Sequence, residues 1–288
     1  MMSEISTGKN NEFSPITKLK SGSKLLTLDK PLVMGILNIT EDSFYEGSRF
    51  SKPDTLLKEA NKMVSEGADI LDLGAVSTRP FADEVSEKEE LEHLLPAIGI
   101  IQKNFPSHFL SIDTWRSDVA RQAIELGADM INDISGGCFD KKMPKVIAKQ
   151  NTAFVVMHTK GNPKSMQLNP TYEDVNQELF DFFSKRIQHF KEAGANQLIL
   201  DPGFGFGKTV VHNFEILNKL KHFKSFGFPV LAGLSRKSMI YKVLKTDPIH
   251  ALNGTTVLNT VALLNGANIL RVHDVKEAKE VIKLISLL

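Results

Sequence analysis

Residues 198–209 read Leu-Ile-Leu-Asp-Pro-Gly-Phe-Gly-Phe-Gly-Lys-Thr, and the fold class turns on how this stretch is understood. Three apolar residues are too few for a helix. They run into an acid, a proline and glycines at alternate positions, the pattern of a buried parallel strand that empties into a loop lined by backbone. Asp201 then stands at the carboxyl end of a strand. An Asp before Pro-Gly also caps ordinary turns, so a single occurrence decides nothing. The same arrangement, an apolar run ending in a polar residue, recurs along the chain.

Strand signals fall near residues 32–37, 69–73, 109–113, 129–132, 153–158, 197–201, 229–232 and 268–272. Helical stripes lie between them. Leu56, Leu57, Ala60, Met63 and Val64 share one helix face, and Leu179, Phe183, Ile187 and Phe190 share another. Ser86 and Glu89 form a capping box that opens a helix expected to turn Leu91, Leu94, Leu95 and Ile98 inward. A weak repeat backs the count. Gly67-Ala68-Asp69, Gly127-Ala128-Asp129, Gly194-Ala195-Asn196 and Gly266-Ala267-Asn268 each close a helical stripe just before a strand, at a spacing of about two strand-helix units. Eight strands with every second turn alike predict an α/β protein of the (β/α)8 type, a TIM barrel. A doubly wound open sheet is the alternative. Upstream, residues 16–28 place Ser-Gly-Ser between two alternating arms, the mark of a hairpin that covers one end of the core. Residues 1–14 carry no apolar period and read as a flexible tail, leaving 15–288 as one domain.

Composition narrows the function classes. Net charge is +1 with both signs interspersed, which speaks against a nucleic-acid footprint or a polybasic membrane signal. No apolar run reaches the length of a membrane helix, and the polar N-terminus does not resemble a signal peptide. Cys138 alone forms no internal disulfide and no cysteine cage for zinc. A soluble, cytoplasmic protein is expected.

The strand ends, in order, are Asn38, Asp72, Asp113, Asn132, His158, Asp201, the group Ser235-Arg236-Lys237-Ser238, and Arg271 with His273. In a barrel these ends form one ring, so residues distant in sequence converge on one pocket. Asp113, Asn132 and Asp201 suit the edge of a heterocycle with adjacent N–H donors. Arg236, Lys237, Arg271 and His273 suit an oxyanion such as phosphate. Gly203 to Lys208 imitates a phosphate-binding P-loop but has three residues before Gly-Lys where that motif needs four. His158 has no second histidine at helical spacing and is more readily a pocket or core residue than a metal ligand. Cys138 has no sequence-local base and reads as a bystander.

These residues resemble the dihydropteroate synthase family of pterin-binding enzymes. The similarity runs from about Leu32 to the C-terminus and rests on MGILNITEDSF (34–44), STRP (77–80), SIDT (111–114), INDISGG (131–137), DPGFGFGKT (201–209), SRKS (235–238) and RVHDV (271–275), in the family's order. The resemblance implies a TIM-barrel transferase of folate biosynthesis. It would condense 6-hydroxymethyl-7,8-dihydropterin pyrophosphate with 4-aminobenzoate, release pyrophosphate and require Mg2+. Sulfonamides would imitate the aromatic acid.

Carried over motif by motif, Asp113, Asn132, Asp201 and Lys237 would hold the pterin, and Asn38 the Mg2+ and pyrophosphate. Arg271, Val272 and His273 would complete the anion site. Thr78 and Arg79 would lie in the loop after strand two, beside the loop carrying Asp42, Ser43 and Phe44. Asp113, Lys237 and Arg271 would be the catalytic members. A homodimer paired through outer helices is expected. Departures fall in the loops: Val76 replaces the usual glutamate, Glu41 the usual proline, and Trp115 the usual tyrosine, while Met157-His158-Thr159-Lys160-Gly161 stands for the family's MHMRG. Two rivals remain. A methyl-carrying pterin barrel would not need the SRKS and RVHD residues, and a non-catalytic pterin binder would be expected to lack ring residues.

Overall fold

The structure, a computed structural model, describes residues 16–39, 52–75, 85–161 and 170–288. The expected tail at 1–14 lies outside the described residues. So do Glu41, Asp42, Ser43 and Phe44 after the first barrel strand, and Val76, Thr78 and Arg79 after the second.

Strands β1 (Lys18–Ser21) and β2 (Lys24–Thr27) form the antiparallel hairpin foreseen at 16–28. Gly22 adopts φ +53° at its two-residue turn, where a side chain would be strained. Strand and helix then alternate: β3 (Leu32–Asn38), α1 (Lys52–Ser65), β4 (Ile70–Gly74), α2 (Glu87–Asn104), β5 (Phe109–Asp113), α3 (Ser117–Glu125), β6 (Met130–Asp133) and α4 (Met143–Gln150). They continue with β7 (Ala153–Met157), α5 (Val175–Ala193), β8 (Leu198–Asp201), α6 (Val210–Asn218), a 3-10 helix (Leu220–Phe226), β9 (Leu231–Ala232), α7 (Ser238–Leu244), α8 (Leu252–Leu264), β10 (Ile269–Val272) and α9 (Val275–Ile285). Strands β3 to β8 pair in sequence, all parallel, and β10 pairs with both β3 and β9. A parallel bridge from Leu200 to Val230, with Leu200 N donating to Pro229 O at 2.8 Å, joins β8 to the β9 side. That last contact closes the ring and removes the open-sheet alternative. No described helix is long and apolar enough to cross a membrane.

The repeat has a physical meaning. Gly67, Gly127, Gly194 and Gly266 take φ of +98°, +100°, +96° and +92° where a helix turns into its strand. In three copies the polar residue two places on satisfies an N–H at or next to the start of a neighbouring strand. Asp69 Oδ2 accepts from Val33 N at 2.7 Å, Asp129 Oδ2 from Leu110 N at 2.9 Å, and Asn268 Oδ1 from Val230 N at 3.0 Å. These groups would otherwise be unpaired donors at the lower rim. The copy after Gly194 departs: Asn196 Nδ2 returns to Gly194 O, while Gln197 bonds the hairpin at Lys20 N and O.

Strand alternation divides the apolar residues into two layers. Val33, Leu37, Leu71, Leu110, Ile112, Ile131, Leu198 and Leu270 face outward to the helices. The capping box of α2 is present, with Glu89 N donating to Ser86 Oγ and Ser86 N to Glu89 Oε2. Its inward face is Leu94, Ala97, Ile98 and Ile101, whereas Leu91 and Leu95 are only half-buried. Leu91 still packs against the core from its edge, as expected, whereas Leu95 does not, and the two border a shallow surface groove with Glu87 and Pro96.

Inside the barrel the lower layer is apolar: Leu32, Met34, Ile70, Phe109, Met130, Val155, Ile199, Leu231 and Ile269, stoppered by Leu19 of the hairpin. Lys24 ties the hairpin down through Asp129 Oδ2 at 2.7 Å and His108 O at 2.8 Å. Leu19 is fully buried. Leu19→Ala should lower stability by about 2–5 kcal/mol in urea unfolding, the usual range for a truncated core leucine. Because Leu19 lies at the end opposite the polar strand ends, KM should not move. A loss below about 1 kcal/mol would mean the hairpin is not a stopper.

Candidate active site

The alternation that places Phe109 low in the barrel returns to the interior at Ser111 and again at Asp113, two and four residues on. The upper interior therefore collects Asp72, Asp113, Asn132, Asp201 and Arg271, one from each of five strands. Arg271 spans two carboxylates, with Nε to Asp72 Oδ2 at 2.7 Å and Nη2 to Asp113 Oδ2 at 2.9 Å. Asn132 Nδ2 donates to the same Asp72 oxygen at 3.1 Å, which fixes the amide with its nitrogen toward Asp72. Asp72 Oδ1 and Ser111 Oγ are buried without a partner among the described residues, leaving unused hydrogen-bonding capacity beneath the mouth.

Charge is held here against burial. Burial pushes the Asp113 carboxyl well above the ordinary carboxylate range; Arg271 pulls it down, while Asp72 and Glu90 add to the rise. Burial also works against the Arg271 guanidinium, yet Asp72 and Asp113 prevail and lift it above the usual arginine value. The Asp113 carboxyl is thus raised chiefly by its burial, with Arg271 as the neighbour that favours its charge.

At the β8 end, Asp201 Oδ1 accepts from Gly203 N at 2.7 Å. Burial raises the Asp201 pKa, opposed chiefly by Lys237. Lys237 extends from the N-cap of α7 across the glycine loop, where Nζ donates to Phe204 O and lies 4.8 Å from the centre of the Phe206 ring. Burial lowers the Lys237 pKa to about 8, with Asp201 holding it up and Arg271 pressing it further down. Close backbone approach explains the loop glycines: a Cβ at Gly203 would lie 2.0 Å from His158 O, and at Gly207 2.4 Å from Lys160 O.

The remaining expected residues divide. His273 Nδ1 is 2.9 Å from Ser235 Oγ, and that oxygen accepts from His273 N at 3.3 Å. The hydroxyl has a proton free to donate to Nδ1, and in that arrangement the ring proton sits on Nε2. His273 itself is exposed at the rim, and the desolvation it does undergo, with Arg271 and Arg236 near, moves its pKa below the ordinary imidazole value. His273 thus serves the anion site as a neutral N–H donor at pH 7 and not through a charge.

Arg236 is committed elsewhere, bonding Asp274 through Nε at 3.0 Å and Nη2 at 2.6 Å. Val272 is one residue out of phase with Arg271, so its side chain is fully buried in the outer layer and does not face the mouth. Asn38 ends β3 with an exposed side chain. A Cβ added at Gly74 would come 3.8 Å from Asn38 Oδ1 and 3.3 Å from Asp113 Cβ, so the glycine leaves a small cradle between them. Thr78 and Arg79 are outside the described residues.

Sequence reading gave no role to three buried charges near the mouth. Asp72 was a strand end without a task, yet it orients both Arg271 and Asn132. Glu90, one residue beyond the capping box, is fully buried and pairs with Arg116, whose Nη2 donates to Val85 O at 2.6 Å. Lys208 lies inside the β7–β8 junction with an exposure of 3%. Only a burial pattern in three dimensions distinguishes these from solvated surface charges.

Residues 34–273 match the family profile of pterin binding enzymes. Dihydropteroate synthase of Haemophilus influenzae is 42% identical over 92% of this chain and 97% of its own length. That of Escherichia coli is 40% identical over 93% and 95%. Among solved structures, the Yersinia pestis dihydropteroate synthase in a sulfonamide drug complex superposes with a TM-score of 0.87 at 39% identity, covering 94% of this chain and 98% of the other. The Xanthomonas albilineans enzyme with 4-aminobenzoic acid gives 0.87 at 35% identity, covering 94% and 97%. With the closed barrel and the strand-end ring already in place, these similarities put the chain in the pterin binding enzyme family, among the dihydropteroate synthases.

Proposed function

We infer that this chain joins 4-aminobenzoate to the methylene carbon of 6-hydroxymethyl-7,8-dihydropterin pyrophosphate and releases pyrophosphate, the dihydropteroate synthase step of folate biosynthesis. The observation that carries this reading is the upper interior layer: Asp113, Asn132 and Asp201 on one part of the ring, Lys237, Arg271 and His273 on the other. A heterocycle with adjacent N–H donors needs the first set. A diphosphate needs the second.

In this reading Asp201 and Asp113 accept hydrogen bonds from the amino-pyrimidinone edge. Asn132, its nitrogen held by Asp72, turns its amide oxygen to the ligand. Lys237, beside Asp201 where the resemblance puts it on the pterin, reaches from the pterin toward the diphosphate. The Nε2–H of His273 takes an oxygen of the diphosphate, and Arg271 keeps its Nε on Asp72 while its outer nitrogens turn from Asp113 to the ligand. The C–O bond to the diphosphate breaks with its electron pair leaving on pyrophosphate, and positive charge develops on a methylene conjugated with the pterin. Buried carboxylates stabilise that charge more strongly than water would. The aromatic amine is neutral at pH 7 and forms the C–N bond without a strong base, its proton passing to solvent or to the departing diphosphate.

The cradle at Gly74 and the hard amide oxygen of Asn38 suit a Mg2+ ion, which takes few protein ligands and completes its shell with water and phosphate oxygens. When bound, Mg2+ neutralises charge on the leaving diphosphate. Pairing of two copies is supported by exposed Val243, Leu244, Ile249 and Val257 on and beside α7 and α8.

Pyrophosphate release from the pterin pyrophosphate, followed with and without 4-aminobenzoate and Mg2+, tests the reaction. Release in step with dihydropteroate formation, and only with all three present, is expected. Release that ignores 4-aminobenzoate would point to a hydrolase.

The pH profile tests the site. Lys237 carries its charge below its pKa and loses it above, so kcat/KM should fall beyond about pH 8, approaching tenfold per pH unit. Lys237→Ala should lower kcat/KM throughout and abolish that alkaline limb. A limb of unchanged position in the variant would remove Lys237 from the site.

A further inference from the structure

Lys208, the lysine that makes the glycine loop resemble a P-loop, has no part in the reading above. Its Nζ is enclosed by His158 Nδ1 at 3.0 Å, His158 O at 3.2 Å, Gly203 O at 3.0 Å and Phe206 O at 2.9 Å. Among the described residues no carboxylate touches it. A cation set among neutral acceptors is an expensive way to fill space, since desolvation opposes it and a methionine would occupy the same volume without that cost. Burial lowers its pKa to about 7, with Asp201 and Glu178 favouring the charge and Lys237 and Lys160 opposing it.

What the ammonium does is geometric. Two of its acceptors, Gly203 O and Phe206 O, bracket the segment that Lys237 lies on. From the other side of that segment Lys237 Nζ bonds Phe204 O, lies over the Phe206 ring, and passes its stem 3.3 Å from where a Cβ of Gly205 would be. The loop is further pinned by Gly205 N donating to Asn213 Oδ1 at 2.7 Å and by Tyr172 Oη donating to Gly207 O at 2.7 Å. These hold its far half. The turn closes on itself through Phe206 N donating to Gly203 O at 3.1 Å, and among the described side chains Lys208 is the one that ties both of its ends to the end of β7, because its partners include both the ring and the carbonyl of His158.

We propose that Lys208 is a positioning residue: its buried ammonium gathers the carbonyls of His158, Gly203 and Phe206, and so fixes the turn against which Lys237 is aimed at the anionic end of the pterin substrate. The proposal rests on the site reading of Lys237 given above and adds the residue that acts through it. It predicts coupling between two lysines that do not touch, carried by the backbone between them in addition to the repulsion of their charges.

A double-mutant cycle decides the matter. Lys208→Met, Lys237→Ala and the double variant are compared by steady-state kinetics with the pterin pyrophosphate, each first checked for cooperative unfolding. Lys208→Met should lower kcat/KM by roughly tenfold or more, mainly through KM, as expected of a displaced binding group. In the Lys237→Ala background the same change should cost less than about twofold, because the residue being positioned is gone. Equal losses in both backgrounds, or no loss in either, would overturn the positioning role. A silent Lys237→Ala would instead overturn the site reading, and with it the target of Lys208. Should Lys208→Met fail to fold, Lys208→Leu, which likewise donates nothing to the carbonyls, takes its place in the cycle. Failure of both to fold would make Lys208 a stability residue and end the proposal.

Discussion

Everything at the mouth of the barrel depends on how one guanidinium is shared. Arg271 lies between Asp72 and Asp113, and three charges are held where water is largely excluded. Breaking a buried ion pair by removing one member typically costs about 3–5 kcal/mol, because the survivor stays buried and uncompensated. In the free protein these groups satisfy one another. A ligand that supplies N–H donors to Asp113 and oxyanions to Arg271 replaces that internal pairing with an external one, so charge compensation is kept while the partners change. The same constraint explains Asp72, which keeps Arg271 anchored at Nε whatever its outer nitrogens do, and whose acceptor-only carboxylate sets the direction of the Asn132 amide.

Such a layer is buildable because the barrel separates stability from chemistry along its axis. Strand alternation sends an apolar residue inward at the lower end and a polar one inward at the upper end of the same strand, as in Phe109 and Asp113 or Ile199 and Asp201. The lower layer, closed by Leu19, supplies core. The upper layer can then hold charge, strained glycines and a buried lysine. Each strand end is also tied to its neighbour by parallel pairing, from Gly74 with Asp113 and Asp113 with Asn132 to Met157 with Asp201. The ring residues are thereby set by the sheet and less by loops.

Much of this was legible in the sequence, for identifiable reasons. Strand positions were readable because parallel strands buried on both faces leave uninterrupted apolar runs, and the turn glycines were readable because their φ near +95° admits little else. The repeat even encoded a role, since Asp69, Asp129 and Asn268 stand where a neighbouring strand needs an acceptor. What sequence could not supply was phase and partnership. Val272 and Arg271 are adjacent in a motif but point to opposite sides of the sheet. Arg236 and Lys237 are adjacent cations, yet Asp274 claims the first. His273 reads as a potential cation until the charges around it are placed, and Lys208 reads as surface until the loop closes over it. Each of these depends on groups tens of residues away.

The central claim is that Asp72, which need not touch the ligand, prepares Arg271 and Asn132 for it. Calorimetric titration of the pterin pyrophosphate into the wild-type protein and into Asp72→Asn tests this most directly. With the anchor weakened, Arg271 should lean on Asp113 and the Asn132 amide should lose its fixed direction. The predicted result is a fall in affinity of at least about tenfold, or roughly 1.4 kcal/mol, in a variant that still unfolds cooperatively. Wild-type affinity in folded Asp72→Asn protein would contradict the account.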